Sequence, residues 1–293
     1  GERVQKIPIN AGFSCPNRDG TLSSTGCTYC LNEAFSPFYC DPENLIQEQL
    51  REGIHFFSKK YKARKFVAYF QSFSNTHGSY DDLEKTYSIF REFPGILGAI
   101  IATRPDCLDK EKLEILTEIF KERYLGLEFG IETSKDSTLK RVNRLHSFRQ
   151  TIEAINLASK YDVHIGGHVI IGLPGETWND FMETAIQLSL LPLHSLKIHH
   201  LQIIKGTPMA LDFGKDPKDF PTFSAKEYVA ILSDFIERLN PSIMLDRLST
   251  RAPRHLLISP RWGGLKESDI LAIVEKTLQQ RESWQGRLFK ILD

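Results

Sequence analysis

No apolar run in this sequence approaches the roughly 20 residues that span a bilayer, so no membrane contact through a helix is expected. The first residues are polar and run directly into a strand-like segment, so no signal peptide is expected either, and a cytoplasmic location follows as an expectation. The sequence opens on Gly1 rather than Met, so its natural start is expected to differ. Neither sign of charge is in excess. Lys plus Arg and Asp plus Glu stand at 37 each, and any nucleic-acid contact must come from a local patch. There is no internal repeat and no low-complexity tract. Cysteine is scarce, five in all, and an odd number in a cytoplasmic-looking chain reads as metal binding before disulfides. What remains is ordinary globular material, 41% hydrophobic and 25% charged, with 293 residues to build one large α/β domain or two smaller ones.

Short apolar or β-branched runs alternate with amphipathic stretches. Strands are expected at 3–9, 66–73, 96–103, 125–132, 163–171 and 195–204, with helices at 41–60, 81–90, 109–121, 148–160 and 176–190. Pro42 is placed in the first turn of the first helix. Strands such as Gly98-Ala99-Ile100-Ile101-Ala102 lack polar alternation, which suits a parallel sheet covered on both faces and joined by right-handed crossovers. After Gly206 a turn-rich connection is expected at 212–221 and a helix at 224–239, with Ser224 as N-cap and Glu227 three residues on. A seventh strand at 242–248 and a last helix at 268–280 complete the reading. Repeated β/α units suggest a complete or partial barrel, whose functional loops follow the carboxyl ends of its strands. Those loops contain the cysteine segment, 71–76, 103–106, 132–136, 172–177 and 205–207.

The cysteines that cluster are Cys15, Cys27 and Cys30, spaced Cys15-x11-Cys27-x2-Cys30 with Tyr29 just before the last. Three thiolates are one fewer than closes an iron–sulfur or zinc site, so a metal held by them keeps an open position. A zinc knuckle completed by Cys40 or His55 is the alternative reading of the cysteines alone. Gly167-His168-Val169-Ile170-Ile171-Gly172-Leu173-Pro174-Gly175-Glu176-Thr177 is a glycine-rich strand–turn–helix junction that offers backbone at close range. Gly126-Leu127-Glu128-Phe129-Gly130-Ile131-Glu132-Thr133, with Arg144-Leu145-His146 beyond it, brings a carboxylate and an arginine near one strand end. Glu132 can equally cap a helix or pair with Arg144.

Together with Thr103-Arg104-Pro105-Asp106, these segments resemble radical S-adenosylmethionine (SAM) enzymes, in particular the Elongator catalytic subunit and oxygen-independent coproporphyrinogen oxidase. Ala11-Gly12-Phe13-Ser14-Cys15-Pro16-Asn17-Arg18-Asp19-Gly20 and Pro260-Arg261-Trp262-Gly263 resemble the YhcC/YtqA subgroup. The resemblance implies an α/β fold, a partial (β/α)6 TIM-like barrel over residues 1–210, with residues 211–293 as an α/β extension packed on it. It implies a [4Fe-4S] cluster on Cys15, Cys27 and Cys30, with SAM on the fourth iron. It places Glu132 and Thr133 at the ribose or methionine part of SAM, Arg144 at its carboxylate, and Gly172 and its strand at the adenine. Thr103 and Arg104 fall near SAM, and Gln71 and Asn75 stand where the family's Gly-Gly-Glu motif, absent here in literal form, holds the SAM amino group. His168 occupies a position often acidic in related enzymes. It is a ligand contact, a substrate contact or a satisfied core histidine. Cys107 is a hydrogen-atom donor or a buried small hydrophobe.

The implied chemistry is one-electron cleavage of SAM to a 5′-deoxyadenosyl radical that takes hydrogen from a substrate, fed by a low-potential donor such as flavodoxin or ferredoxin. Two basic regions bear on that substrate. Lys59, Lys60, Lys62, Arg64 and Lys65 read as a solvated helix end. Arg247, Arg251, Arg254, His255 and Arg261, with Trp262 for stacking, suit an unpaired nucleotide. Ion pairs with Asp246, Glu267 or Asp269 are the structural alternative. The leading expectation is a modified wobble uridine in tRNA. The rival is a small metabolite or cofactor precursor, and a zinc-binding module without catalysis comes third.

Overall fold

The computed structural model describes residues 4–31 and 36–290. Arg3, the expected first residue of the opening strand, lies outside them. The chain forms two compact units. The first comprises Gly1–Ser24, Ser36–Gly130 and Glu153–Ile165, the second Thr25–Phe35, Ile131–Ile152 and Gly166–Asp293.

In the first unit, β1 (Val4–Ile9), β2 (Lys65–Phe70) and β3 (Ile96–Thr103) run parallel, and β3 pairs in parallel with β4 (Tyr124–Glu132). Helices α1 (Ile46–Tyr61), α2 (Tyr80–Tyr87) and α3 (Lys110–Ile119) connect them. Crossing between parallel neighbours takes a dozen or more residues, which is why each connection carries a helix. A contiguous aromatic cluster fills the helix side. Phe70 lies 5.1 Å from Tyr87 and 5.8 Å from Phe90, and Phe90 lies 5.4 Å from Phe120, centroid to centroid. All four rings are buried, and each removes well over 100 Å² from water.

The second unit carries α4 (Asp136–Arg141), the start of α5 (Phe148–Ala158) and most of β5 (His164–Ile171). Then follow α6 (Trp178–Ser189), β6 (Ser195–His200), β7 (Ile203–Ile204), α7 (Pro208–Lys215), α8 (Ala225–Arg238), β8 (Met244–Arg247), β9 (Leu257–Ser259) and α9 (Glu267–Gln280). β5, β6 and β8 are parallel neighbours. The hydrogen-bonded order of the main sheet is β1-β2-β3-β4-β5-β6-β8, and β7 and β9 form a separate antiparallel pair.

The expected α/β alternation is therefore the architecture, with differences that have local causes. The first helix starts at Ile46, not Asp41, because Asp41 forms a turn: its carboxylate accepts the Glu43 N–H at 3.0 Å and its carbonyl the Asn44 N–H at 3.1 Å. β2 stops at Phe70, since Phe73 is left-handed at φ 63° and Asn75 turns back onto the Phe70 carbonyl. The single expected strand 195–204 is two, because Leu201 bonds back to Ile171 and Gln202 turns its side chain to His200. The turn-rich stretch after Gly206 holds α7, capped by Thr207 with Pro208 in its first turn. Ser224 and Glu227 close the expected capping box on α8. No helix among the described residues is long and apolar enough to cross a membrane.

Candidate functional site

In the second unit the segment 25–30 is laced to the segment that follows α4. The Thr28 N–H donates to the Val142 carbonyl at 3.0 Å, and the Asn143 amide donates to the Gly26 carbonyl at 2.7 Å. This brings Cys27 to Arg144. The Arg144 guanidinium is 7% exposed, stands 3.5 Å from the Glu132 carboxylate and points Nη1 at the Cys27 sulfur, 3.8 Å away. Its Nε donates to His146 Nε2 at 3.0 Å, which makes that ring nitrogen the acceptor of a neutral imidazole. The backbone here is strained. Glu132, Asn143 and Leu145 all adopt positive φ, at 68°, 54° and 62°, each at a cost of about 1–3 kcal/mol that surrounding contacts must offset. The Tyr29 hydroxyl is buried without a hydrogen-bond partner among the described residues. Burial, and then the negative charge of Glu132, holds its pKa well above the ordinary value. The cationic guanidinium answers the surrounding anionic groups, and a thiolate at Cys27 would be stabilised by it.

Thr133 and Glu176 belong to the same unit. The Thr133 hydroxyl donates to Glu176 at 2.5 Å, and burial lifts the Glu176 carboxyl from 4.5 to about 7. Gly172 closes β5 at φ 99° with the Pro221 carbonyl 3.3 Å from where a Cβ would stand, so both conformation and space favour glycine. Thr177, not Glu176, caps α6 through a box with Asp180. His168 faces His199, with ring centroids 5.5 Å apart.

The first unit holds Cys15, Gln71, Asn75, Thr103, Arg104 and Cys107. The Ser74 N–H donates to the Ser14 carbonyl at 3.2 Å, tying the Cys15 loop to the loop after β2. Thr103 shares hydroxyl hydrogen bonds with Ser74 at 2.9 Å and Thr76 at 2.6 Å. The Asn75 amide nitrogen faces three carbonyls, of Phe70, Ser72 and Ala102, at 2.9–3.0 Å. Its two N–H groups are thus committed to the loop. Gln71 is partly exposed beside it. Arg104 is 1% exposed and grips Asp106 with two bonds, 2.9 and 2.7 Å, while its Nη1 has no partner among the described residues.

None of the five cysteines is in a disulfide. Two are set apart by their surroundings. Cys40 is buried, donates to the Pro8 carbonyl at 3.1 Å, and is pushed up to about 12 by burial. Burial and then Asp106 raise Cys107 to about 11. Neither is a ready thiolate by itself, and His55 is exposed on α1. Among the described residues no three His, Cys, Asp or Glu side chains stand together as a metal site. In the second unit Cys27 and Cys30 stand outside any disulfide, and thiolates of that kind, with a cation at Cys27, are the donors that an iron–sulfur cluster takes.

The carboxyl-terminal arginines divide. Arg251, Arg254 and Arg261 are exposed and line a cavity of about 300 Å³ with Gln202, Thr250 and Trp262. Arg247 is not in that lining. It sits on β8 and pairs with Glu267 at 3.6 Å. Trp262 is committed to the fold: its ring stacks on His200 at 4.0 Å and its N–H donates to the Phe223 carbonyl at 2.9 Å. The platform expected for a base is thus filled on one face by His200. Sequence reasoning did not single out Lys197 and His199. Their alternation with Leu196 and Ile198 in Ser195-Leu196-Lys197-Ile198-His199 was the available signal.

The family described as "Radical SAM superfamily" matches residues 14–188, and "Radical_SAM C-terminal domain" matches residues 193–280. "Uncharacterized protein YtqA" of Bacillus subtilis (strain 168) is 33% identical over 100% of this chain and 90% of its own length. "Protein YhcC" of Escherichia coli (strain K12) is 31% identical over 92% of this chain and 87% of its own. The archaeal Methanocaldococcus infernus Elp3 with an N-terminal deletion has the same fold, with a TM-score of 0.72 at 16% identity over 97% of this chain. This chain spans 64% of that Elp3 chain, less than two thirds.

Proposed function

This chain belongs to the radical SAM superfamily and is an enzyme of it, and from that premise we propose that Cys15, Cys27 and Cys30 hold its [4Fe-4S] cluster and that its substrate is a nucleotide of tRNA, a modified wobble uridine. When bound, cluster and SAM supply one-electron cleavage of SAM to methionine and a 5′-deoxyadenosyl radical that removes a hydrogen atom from the substrate. The chain's own residues bind, orient and shield. Arg144 presents a planar fork that suits the methionine carboxylate, and Glu132, held in a left-handed conformation at its side, suits the amino or ribose hydroxyl groups. Gly172 lets backbone approach an adenine ring. Thr103 and Arg104 shape the loop that carries them, and Asn75 fixes the loop after β2 rather than meeting SAM through its amide nitrogen. Cys107, buried and with its thiol pKa raised, acts as packing.

One observation carries the cofactor reading: a buried arginine between a carboxylate and a cysteine sulfur, on a backbone strained at three residues. Strain of that kind persists where a site must be preorganised. The tRNA reading is supported by Arg251, Arg254 and Arg261 around one cavity, a local basic patch on a chain of zero net charge. Two measurements test the proposal. Anaerobic reconstitution should give a brown protein that releases 5′-deoxyadenosine on reduction with SAM, and a colourless zinc protein would end the claim. Mass spectrometry of tRNA nucleosides from cells with and without the gene should then reveal one changed wobble nucleoside. An unchanged nucleoside profile leaves a small-molecule substrate instead.

A further inference from the structure

β6 ends at His200, and the chain beyond it builds a cavity of about 300 Å³ within the second unit. Gln202 ties down its wall. The amide oxygen accepts the Ala252 N–H at 3.0 Å and the amide nitrogen donates to the Thr250 carbonyl at 2.7 Å, so the backbone on both sides of Arg251 is fixed. Arg254 follows in the same β8–β9 connection, its Nη2 3.1 Å from where a Cβ on Gly264 would stand. The β9–α9 connection supplies Arg261, whose Nη2 donates to the Leu257 carbonyl at 3.1 Å, and Trp262, anchored on the Phe223 carbonyl. The backbone around the cavity is thus held while three guanidinium groups line it.

The charge of that lining is one-sided. Arg251 and Arg254 make no ion pair or hydrogen bond among the described residues, and Arg261 bonds to a carbonyl, not to a carboxylate. Among the described residues Glu267 is the one carboxylate in the lining, and it stands 3.6 Å from Arg247, outside the lining. A neutral donor joins the cations. His200 is 6% exposed and lines the same cavity. One N–H of the Gln202 amide goes to the Thr250 carbonyl, and the other meets His200 Nε2 at 3.0 Å. An amide nitrogen only donates, so Nε2 accepts and the proton of the neutral ring sits on Nδ1. That Nδ1–H is buried and has no partner among the described residues. Burial pushes the pKa of His200 down to about 3, so at neutral pH the ring is an uncharged donor. A buried donor without an acceptor costs stability, and the oxygen of an anion in the cavity relieves that cost.

We infer that this cavity is a subsite for a phosphate group of the substrate, taken by Arg251, Arg254 and Arg261 with the His200 Nδ1–H as the neutral donor. The inference deepens the substrate reading by naming the group that is held, and rests on that reading for the rest of the ligand. Three planar forks and one N–H offer more donors than the about four lone-pair sites of a carboxylate accept, whereas a phosphate presents further oxygens. A volume of about 300 Å³ is at the small end of ligand pockets, which suits one nucleotide unit. Two sources carry this chemistry: an internal phosphodiester of RNA and the terminal phosphate of a free molecule.

The test is calorimetric titration of the reconstituted holoenzyme, with SAM present and ionic strength fixed, using uridylyluridine, uridine 5′-monophosphate and uridine as probes. The expected result is saturable binding of a phosphate-bearing probe with Kd below about 1 mM, and none of uridine. Binding of uridylyluridine identifies RNA as the source. Binding of the monophosphate alone keeps the subsite and overturns tRNA as the substrate. Arg251→Gln and Arg254→Gln should each weaken binding at least about fivefold and melt like the wild type, since neither side chain has a partner to lose. His200→Phe keeps a ring against Trp262 and should weaken binding about threefold. Lys226→Gln, exposed on α8 outside the lining, removes one charge as well and should stay within about twofold. Failure of both phosphate probes to saturate the wild type overturns the inference. So does binding of uridine as tight as that of the phosphates, or undiminished binding by the Arg251 and Arg254 variants. If the tRNA nucleoside profile changes with the gene while neither phosphate probe binds, only the subsite fails.

Discussion

Two loops, each following a strand end, use an arginine and a carboxylate in opposite ways. After β3, Arg104 and Asp106 meet through two short, parallel hydrogen bonds, and the surrounding hydroxyls of Ser74, Thr76 and Thr103 bond to one another. After β4, Arg144 and Glu132 are 3.5 Å apart, the guanidinium reaches a sulfur and an imidazole as well, and the backbone is left-handed at three non-glycine positions. The first arrangement is satisfied by its own bidentate geometry, the strongest that this pair of groups makes. The second spreads one cation over several loose partners and stores strain in the chain. A pair closed on itself holds a loop, whereas a pair held apart leaves room for a ligand.

The sharpest break of this contrast comes from the cysteines on either side of it. Cys27→Ala should abolish both the brown chromophore and deoxyadenosine release, because a cluster with two thiolates is not retained. Cys107→Ser, in the loop after β3, should keep the chromophore. Equal loss in the two variants would erase the distinction between the loops. Next in size is Arg144→Lys. It keeps charge but loses the fork, and SAM cleavage should fall about 100-fold, equivalent to about 2.7 kcal/mol of transition-state stabilisation, with the melting temperature little changed. Arg104→Met should do the reverse. Removing the guanidinium leaves Asp106 buried and uncompensated, which costs about 3 kcal/mol of stability in chemical denaturation. SAM cleavage per folded molecule should then stay near the wild-type level. If Arg104→Met instead silences a folded enzyme, the orphaned Nη1 marks a ligand contact and the contrast collapses.

Much of this was legible before any coordinates, for reasons that differ from residue to residue. The strands were readable because residues such as Ile100 and Ile101 belong to unbroken apolar runs that only a sheet covered on both faces accommodates. Arg144 and Glu132 were readable as partners because each stands just past a strongly patterned element. The ends of β2 and β6 were not readable. They are set by Asn75 reaching the Phe70 and Ala102 carbonyls, and by Gln202 reaching His200 and the Thr250 carbonyl, contacts that no local pattern encodes. The neighbour of Trp262 was not readable for the same reason: tryptophan beside arginine reads as a stacking platform, and His200, 62 positions earlier in the chain, occupies one of its faces. The side-by-side placement of His168, Lys197 and Arg247 depends on register across β5, β6 and β8, and strand register between distant segments is a property of the folded sheet.

The smallest effect tests whether the loop after β4 extends its unusual electrostatics to Glu176. Burial raises that carboxyl from 4.5 to about 7, against the lowering effect of the Thr133 hydroxyl that donates to it. Between those two values the unfolded chain has released its proton while the folded chain still holds it. The unfolded state therefore binds fewer protons, and the stability attributable to Glu176 is full below about pH 4.5 and declines as pH rises through about 7. Glu176→Gln has no proton to lose and should not decline. Relative to the wild type it should gain about 2 kcal/mol in urea unfolding between about pH 5 and about pH 8, less than the full shift implies because at pH 5 the unfolded carboxyl has already begun to ionise. A difference that stays flat across this window would mean that Glu176 is ionised throughout. Its pairing with Thr133 would then be an ordinary charged hydrogen bond, and the second loop would be no more unusual electrostatically than the first.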